Sequence, residues 1–184
     1  RNPRQWKKTG AASRDAAHKL VMDAIVDQQP LPGLGDKRSV AALPLAFDAD
    51  FEGDRAGALI YGLGSMLVEL YGGTTTQHLL SGLNAQKTAN AAWNIEVAAW
   101  LLASRTDAAG QPLLLSNEIS SAGRNLSFER EFGRMIGRLE LLAQTSDESL
   151  RRSGINYVQG LLAAPIIGLV QFIPLEAATA ATSQ

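Results

Sequence analysis

A chain of 184 residues in which 46% of side chains are hydrophobic is long enough to bury one core of ordinary size without covalent staples. It contains no Cys, which excludes a thiol nucleophile, a Cys-ligated zinc and an iron–sulfur cluster, and it fits a reducing or an oxidising compartment equally well. A formal net charge of −1 and a pI near 6.2 give no overall field for nucleic acid, so no nucleic-acid partner is expected.

Residues 1–12 read as a basic, flexible arm, with Arg1, Arg4, Lys7 and Lys8 around Trp6; contact with anionic headgroups or an acidic partner is the sharper alternative. The chain opens on Arg1 rather than Met, so a natural start is expected upstream, where a signal peptide or lipid-anchored Cys would stand. A helical domain is expected over 13–175. Ser13 is placed to cap a helix to about Gln28 that turns Ala17, Leu20, Val21, Ala24 and Ile25 inward. Residues 30–52, with PLPGLG and ALPLAF, read as an ordered strap on the domain surface, too rich in Pro for a strand.

A second helix is predicted from about Gly53 to Tyr71, because Ala56, Leu59, Ile60, Leu63, Leu67 and Leu70 recur at helical spacing, and Gly72-Gly73 stops it. Thr74 to Thr76 cap a short helix through Leu83. Asn84 caps a long one to about Ser104, whose inward face reads as Ala89, Trp93, Glu96 or Val97, and Trp100, with Gln86, Lys87, Asn90 and Asn94 offset. PLLLSNEIS is extended or one turn of helix, Ser127 caps a helix to about Gln144, and Ser146 or Asp147 opens a final helix; residues 176–184 form a disordered tail. The sum is an irregular, single-domain all-α bundle of five to seven helices with one long Pro/Gly-rich strap.

The final helix is the unusual one. From Ser153 to Leu175 no side chain is charged, and as one helix of about 22 residues the stretch is roughly 33 Å long, enough to cross a bilayer core. Asn156, Gln159, Gln171 and Pro165 argue against a span. With Ile155, Val158, Leu162, Ile166, Leu169 and Ile173 on one face, the pattern suits a core or interface helix, or reversible contact with lipid. Its end, Phe172, Ile173 and Leu175, is the expected contact with a membrane or partner.

Candidate chemistry is sparse. DADFEGD places Asp48, Asp50 and Glu52 at alternate positions, like the first half of a calcium loop, but Leu59 stands where the closing carboxylate belongs; Glu52 and Asp54 read more simply as the acidic start of a helix. Glu96 between two Trp is expected to be buried with a raised pKa, either paired to an arginine such as Arg124 or, with Asn90 and Asn94, lining an interior polar site. His18 and His78 have no second ligand at metal spacing, and GLG at 33–35 and 62–64 lacks the context of a dinucleotide site. Gly133 and Gly137 form GxxxG on a helix, and with Gly57 and Gly64 suggest close helix packing. No cofactor is implied.

The stretches GDRAGALIYGLGSMLVELYGG, LNAQKTANAAWNIEVAAWLLASR and LLLSNEISSAGRNLSFEREFGRMIG resemble an uncharacterised group of exported, often lipid-anchored, proteobacterial envelope proteins over roughly residues 53–140. The resemblance brings no catalytic residues. It implies a periplasmic or envelope-associated lipoprotein, and with the charge-free segment it supports a non-enzymatic helical protein that engages a membrane surface, a lipid or a hydrophobic protein partner, or a second copy of itself. The alternative is a small-ligand binder or enzyme built around Glu96.

Overall fold

The structure is a computed structural model that describes residues 2, 4–73, 83–116, 118–120, 123–146 and 171–177. It is all-α and forms a single domain, with five α-helices among the described residues: α1 (Arg14–Val26), α2 (Leu43–Ala46), α3 (Arg55–Leu70), α4 (Ala85–Ser104) and α5 (Ser127–Ser146). Short 3-10 helices cover Gln5–Thr9 and Ser39–Ala42. Before α5, β1 (Glu118–Ser120) and β2 (Gly123–Asn125) pair antiparallel, with Ile119 opposite Arg124.

The caps read from sequence at Ser13 and Asn84 are in place, Asp54 adds a third, and Ser127 is the first residue of α5 rather than its cap. The Ser13 hydroxyl accepts from Ala16 N at 3.1 Å, the Asp54 carboxylate from Gly57 N at 2.9 Å, and the Asn84 side chain from Lys87 N at 2.9 Å, so each satisfies an orphan N–H of a first helical turn. Asp54 is therefore the N-cap of α3 rather than a residue of its first turn.

Helix α3 is the hub. It touches α1, α2, α4 and both 3-10 helices, and its buried side chains include Leu59, Tyr61, Leu63 and Met66. Two glycines make the close approach possible. A Cβ on Gly62 would stand 2.6 Å from Leu43 Cδ2, and one on Gly64 would stand 2.6 Å from Ile25 Cδ1, so α2 and α1 seat where α3 has no side chain. The GLG at 62–64 is thus a packing device. The Tyr61 hydroxyl donates to Gln29 O at 2.8 Å and fastens the chain just after α1.

Two expectations need correction. The strap at 30–52 does not lie on the surface: Leu31, Leu34, Ala42, Leu43, Ala46 and Phe47 are buried core, because the 3-10 helix and α2 turn its apolar residues onto α3. The amino-terminal arm is not loose either. Asn2 exchanges two hydrogen bonds with the backbone of Leu115, at 2.9 and 2.8 Å, and the Gln5 side chain accepts from Arg55 N at 3.1 Å.

No helix of the described residues is long and apolar enough to cross a membrane. Residues 147–170, which hold most of the charge-free stretch, lie outside the described residues, as do the short helix expected over 74–82 and the tail from 178 onward. Where the stretch reappears, Gln171–Pro174 is not helical, so a helix continuing to Ile173 is ruled out.

Candidate functional site

Helix α4 presents two chemically different faces. On one, Asn90 and Asn94 are fully buried, and their amides are spent on the segment 171–177. Asn94 pairs with Ile173 in both directions, its Nδ2 donating to the carbonyl at 2.7 Å and its Oδ1 accepting from the N–H at 2.8 Å. Asn90 Nδ2 stands 2.7 Å from Ala177 O, 2.9 Å from Leu175 O and 3.2 Å from Pro174 O, while Gln86 Nε2 donates to Asn90 Oδ1 at 2.8 Å. Trp93 Nε1 donates to Gln171 O at 3.1 Å. These amide and indole bonds all go to the backbone of residues 171–177, so α4 satisfies main-chain groups that have no helix or sheet of their own.

Side chains complete the clamp. Leu175 is 1% exposed, the Phe172 ring lies 6.1 Å from that of Phe47, and Lys87 pairs with Glu176 at 3.1 Å, which holds the Glu176 carboxyl below its ordinary value. The expectation that Phe172, Ile173 and Leu175 form an outward contact is therefore corrected: Leu175 is core, and Phe172 and Ile173 are half-buried against the domain. Asn90 and Asn94 are interior and polar as expected, but they serve the chain itself.

Glu96 lies about 120° around the helix from Asn90 and about 160° from Asn94, and faces elsewhere. It does not sit buried between two indoles. Glu96 is exposed at its outer edge, Trp100 is 42% exposed, and the inward positions are Ile95, Val97, Ala98, Leu101 and Leu102, because α5 and α3 cover those faces instead. Glu96 does line a cleft of about 420 Å³ between α4 and α5, floored by Ala99, Leu102, Phe132 and Ile136 and closed at one end by Ser116 and Phe128. Partial burial pushes the Glu96 carboxyl above its ordinary value, and the negative charge of Glu140 pushes it the same way. Among the described residues no cation pairs with Glu96. Of Arg124 only the backbone is described, so a pairing with its side chain lies outside the described residues.

The wall of this cleft holds a feature that sequence reasoning misread. Gly133 and Gly137 are not close-packing glycines, for among the described residues no atom lies within 4 Å of a Cβ built on either. Gly133 lines the cleft, and open space stands where its side chain would be. Exposed Leu115 and Leu126 adjoin the Ser116 and Phe128 end in sequence, and Leu141, 60% exposed, follows Glu140.

A second cavity, of about 650 Å³, is polar and lined by Gln28, Asp36, Arg38, Ser39, Ser65 and Glu69. It gathers two non-glycine residues that, alone among the described residues, have left-handed backbone, Gln28 at φ 55° and Ser39 at φ 51°. Both have structural anchors: Gln28 Nε2 donates to Gly73 O at 2.6 Å, and Ser39 N donates to Ser65 Oγ at 2.8 Å. The Ser39 hydroxyl is buried without a partner among the described residues. Nothing in the sequence pattern flagged Gln28 or Ser39, since φ is not written in residue type.

The acidic loop resolves as a structural turn. Asp48 Oδ1 accepts from Asp50 N at 3.0 Å, and the buried Arg55 guanidinium donates to Asp48 O at 2.9 Å and Ala49 O at 2.8 Å. Asp48, Asp50 and Glu52 form no metal-holding group among the described residues. His18 is exposed, and His78 lies outside the described residues. Comparison with family models, curated proteins and solved structures finds no match to this chain.

Proposed function

We propose that this chain is a non-enzymatic helical binding protein of the cell envelope that engages a hydrophobic partner through the α4–α5 cleft. The observation that carries the reading is Gly133: a glycine in the interior of α5, costing about 1 kcal/mol of helix propensity relative to Ala, lines the cleft with no atom of the described residues within 4 Å of where its Cβ would stand. Beside that space stand apolar Phe132 and Ile136 and a half-exposed indole, Trp100, the composition expected of a pocket for an apolar group. The envelope placement draws on the charge-free stretch Ser153–Leu175 and on the sequence resemblance.

Titration with a neutral apolar dye such as Nile red tests this. Saturable binding is expected for the intact protein and its loss in Gly133→Leu, a variant that fills the cleft while keeping its helix content by circular dichroism. Binding that survives Gly133→Leu, or no saturable binding at all, removes the cleft from the function. An enzyme with Glu96 as general acid is the second reading, favoured by its raised carboxyl pKa; it requires a reaction whose rate falls as pH rises through that titration.

A further inference from the structure

The cleft is apolar below and anionic above, and the two halves together specify a ligand more narrowly than either does alone. Glu96 is one of the lining residues, and Glu140 lies close enough on α5 to raise its pKa. Glu96 faces this apolar space with the second negative charge of Glu140 near it, and a cation held against Glu96 relieves the repulsion between the two. Partial burial strengthens the effect, because a carboxylate stripped of some of its water has more to gain from a counter-ion. Trp100 supplies the third element. Indole is the strongest cation–π acceptor among the side chains, and this one lines the cleft one helical turn from Glu96 with 42% of its surface open.

We propose that the α4–α5 cleft binds a small amphipathic cation, an alkyl or aryl amine whose apolar body lies along Gly133, Phe132 and Ile136 and whose charged head meets Glu96 and the Trp100 indole. This rests on the reading of the cleft as the site of a hydrophobic partner and narrows that partner to a charge and a size. The size follows from about 420 Å³, which lies in the range of small-ligand pockets. The charge follows from the acidic residues of the lining, Glu96 and Glu129, which would repel an anionic amphiphile and offer a neutral one no charge to meet. The glycines fit the same picture, for a Cβ at Gly133 would occupy the path of the apolar body.

Isothermal titration of the intact protein with octyltrimethylammonium, 1-octanol and octanoate tests it, each kept below its micelle-forming concentration, at low ionic strength and a pH above the carboxylate range. The cation is expected to bind roughly tenfold more tightly than the alcohol, and octanoate more weakly than either. Glu96→Gln should bring the cation down to the affinity of the alcohol and leave the alcohol unchanged, whereas Gly133→Leu should abolish both. Equal binding of alcohol and cation, or an undiminished cation affinity in Glu96→Gln, overturns the charge assignment while leaving the apolar cleft standing. Failure of all three to bind overturns the cleft as well. A basic amphipathic helical peptide that binds where octyltrimethylammonium does not replaces the small ligand with a protein partner.

Discussion

The two flanks of this molecule use glycine in opposite ways. On the α3 side, Gly62 and Gly64 let Leu43 and Ile25 approach to distances that no Cβ would permit, and the result is a closed core. On the α5 side, Gly133 and Gly137 face nothing among the described residues, and Gly133 lines an open cleft. The residue type is the same, and so is its cost in helix propensity. What differs is whether a neighbour fills the space, and that separates a glycine kept for packing from one that keeps room.

The contrast can be broken most severely at the carboxy-terminal strap, residues 171–177, that α4 holds. Asn94→Ala leaves the Ile173 N–H and carbonyl without their partner beside a buried helix face, so a loss of about 3 kcal/mol is expected in urea denaturation. A loss below about 0.5 kcal/mol would mean that the strap is not part of the closed flank. Next in size is Gly62→Ala, expected to cost about 2 kcal/mol, because its Cβ meets both the Leu43 side chain and, at 3.3 Å, the Leu43 backbone. Gly64→Ala should cost less, since it meets Ile25 side-chain atoms, which can move. Equal costs at the two positions would show that α2 gives way as readily as a side chain.

The open flank should respond with the opposite sign. Gly133→Ala and Gly137→Ala are each expected to stabilise by about 0.8 kcal/mol, read from thermal or chemical melts, because the helix gains propensity and no described neighbour is displaced. A destabilisation at either position would show that the space is filled. The smallest effect concerns Glu96. Its folded-state pKa lies above the ordinary 4.5, so the folded state holds this proton more tightly than the unfolded chain does. The stability it contributes is fully present below the ordinary value and is lost as pH rises through the raised one. Glu140→Gln removes one cause and should lower the Glu96 titration midpoint followed by NMR of its carboxyl carbon; an unmoved midpoint would leave burial as the sole cause.

What the sequence made legible was local. Ser13 and Asn84 announce helix starts because a cap acts within three residues, and the α4 limits were readable for the same reason. The burial of residues 30–52 was not readable, since Pro and Gly spacing says how a segment bends but not what it lies against. Asn90 and Asn94 carried a signal that went unused: two amides one turn apart on an Ala-rich helix have more hydrogen-bonding groups than their helix can satisfy and call for a distant partner. That partner lies 79 to 87 residues away, beyond any window of periodicity. Gly133 and Gly137 were misread because GxxxG spacing places two small residues on one face and is silent about whether anything approaches it.

The Asn90 and Asn94 clamp also bears on the order in which the domain is completed during synthesis. The ribosome makes α4 long before it makes residues 171–177, so two amides that end fully buried wait in water, hydrated, until their carbonyl partners emerge. Until then, closing that face of α4 would strand both amides without hydrogen bonds, and the loop to be closed when the partners arrive is among the longest in the fold. The nascent chain is thus held from sealing this face of α4 until residues 171–177 have emerged.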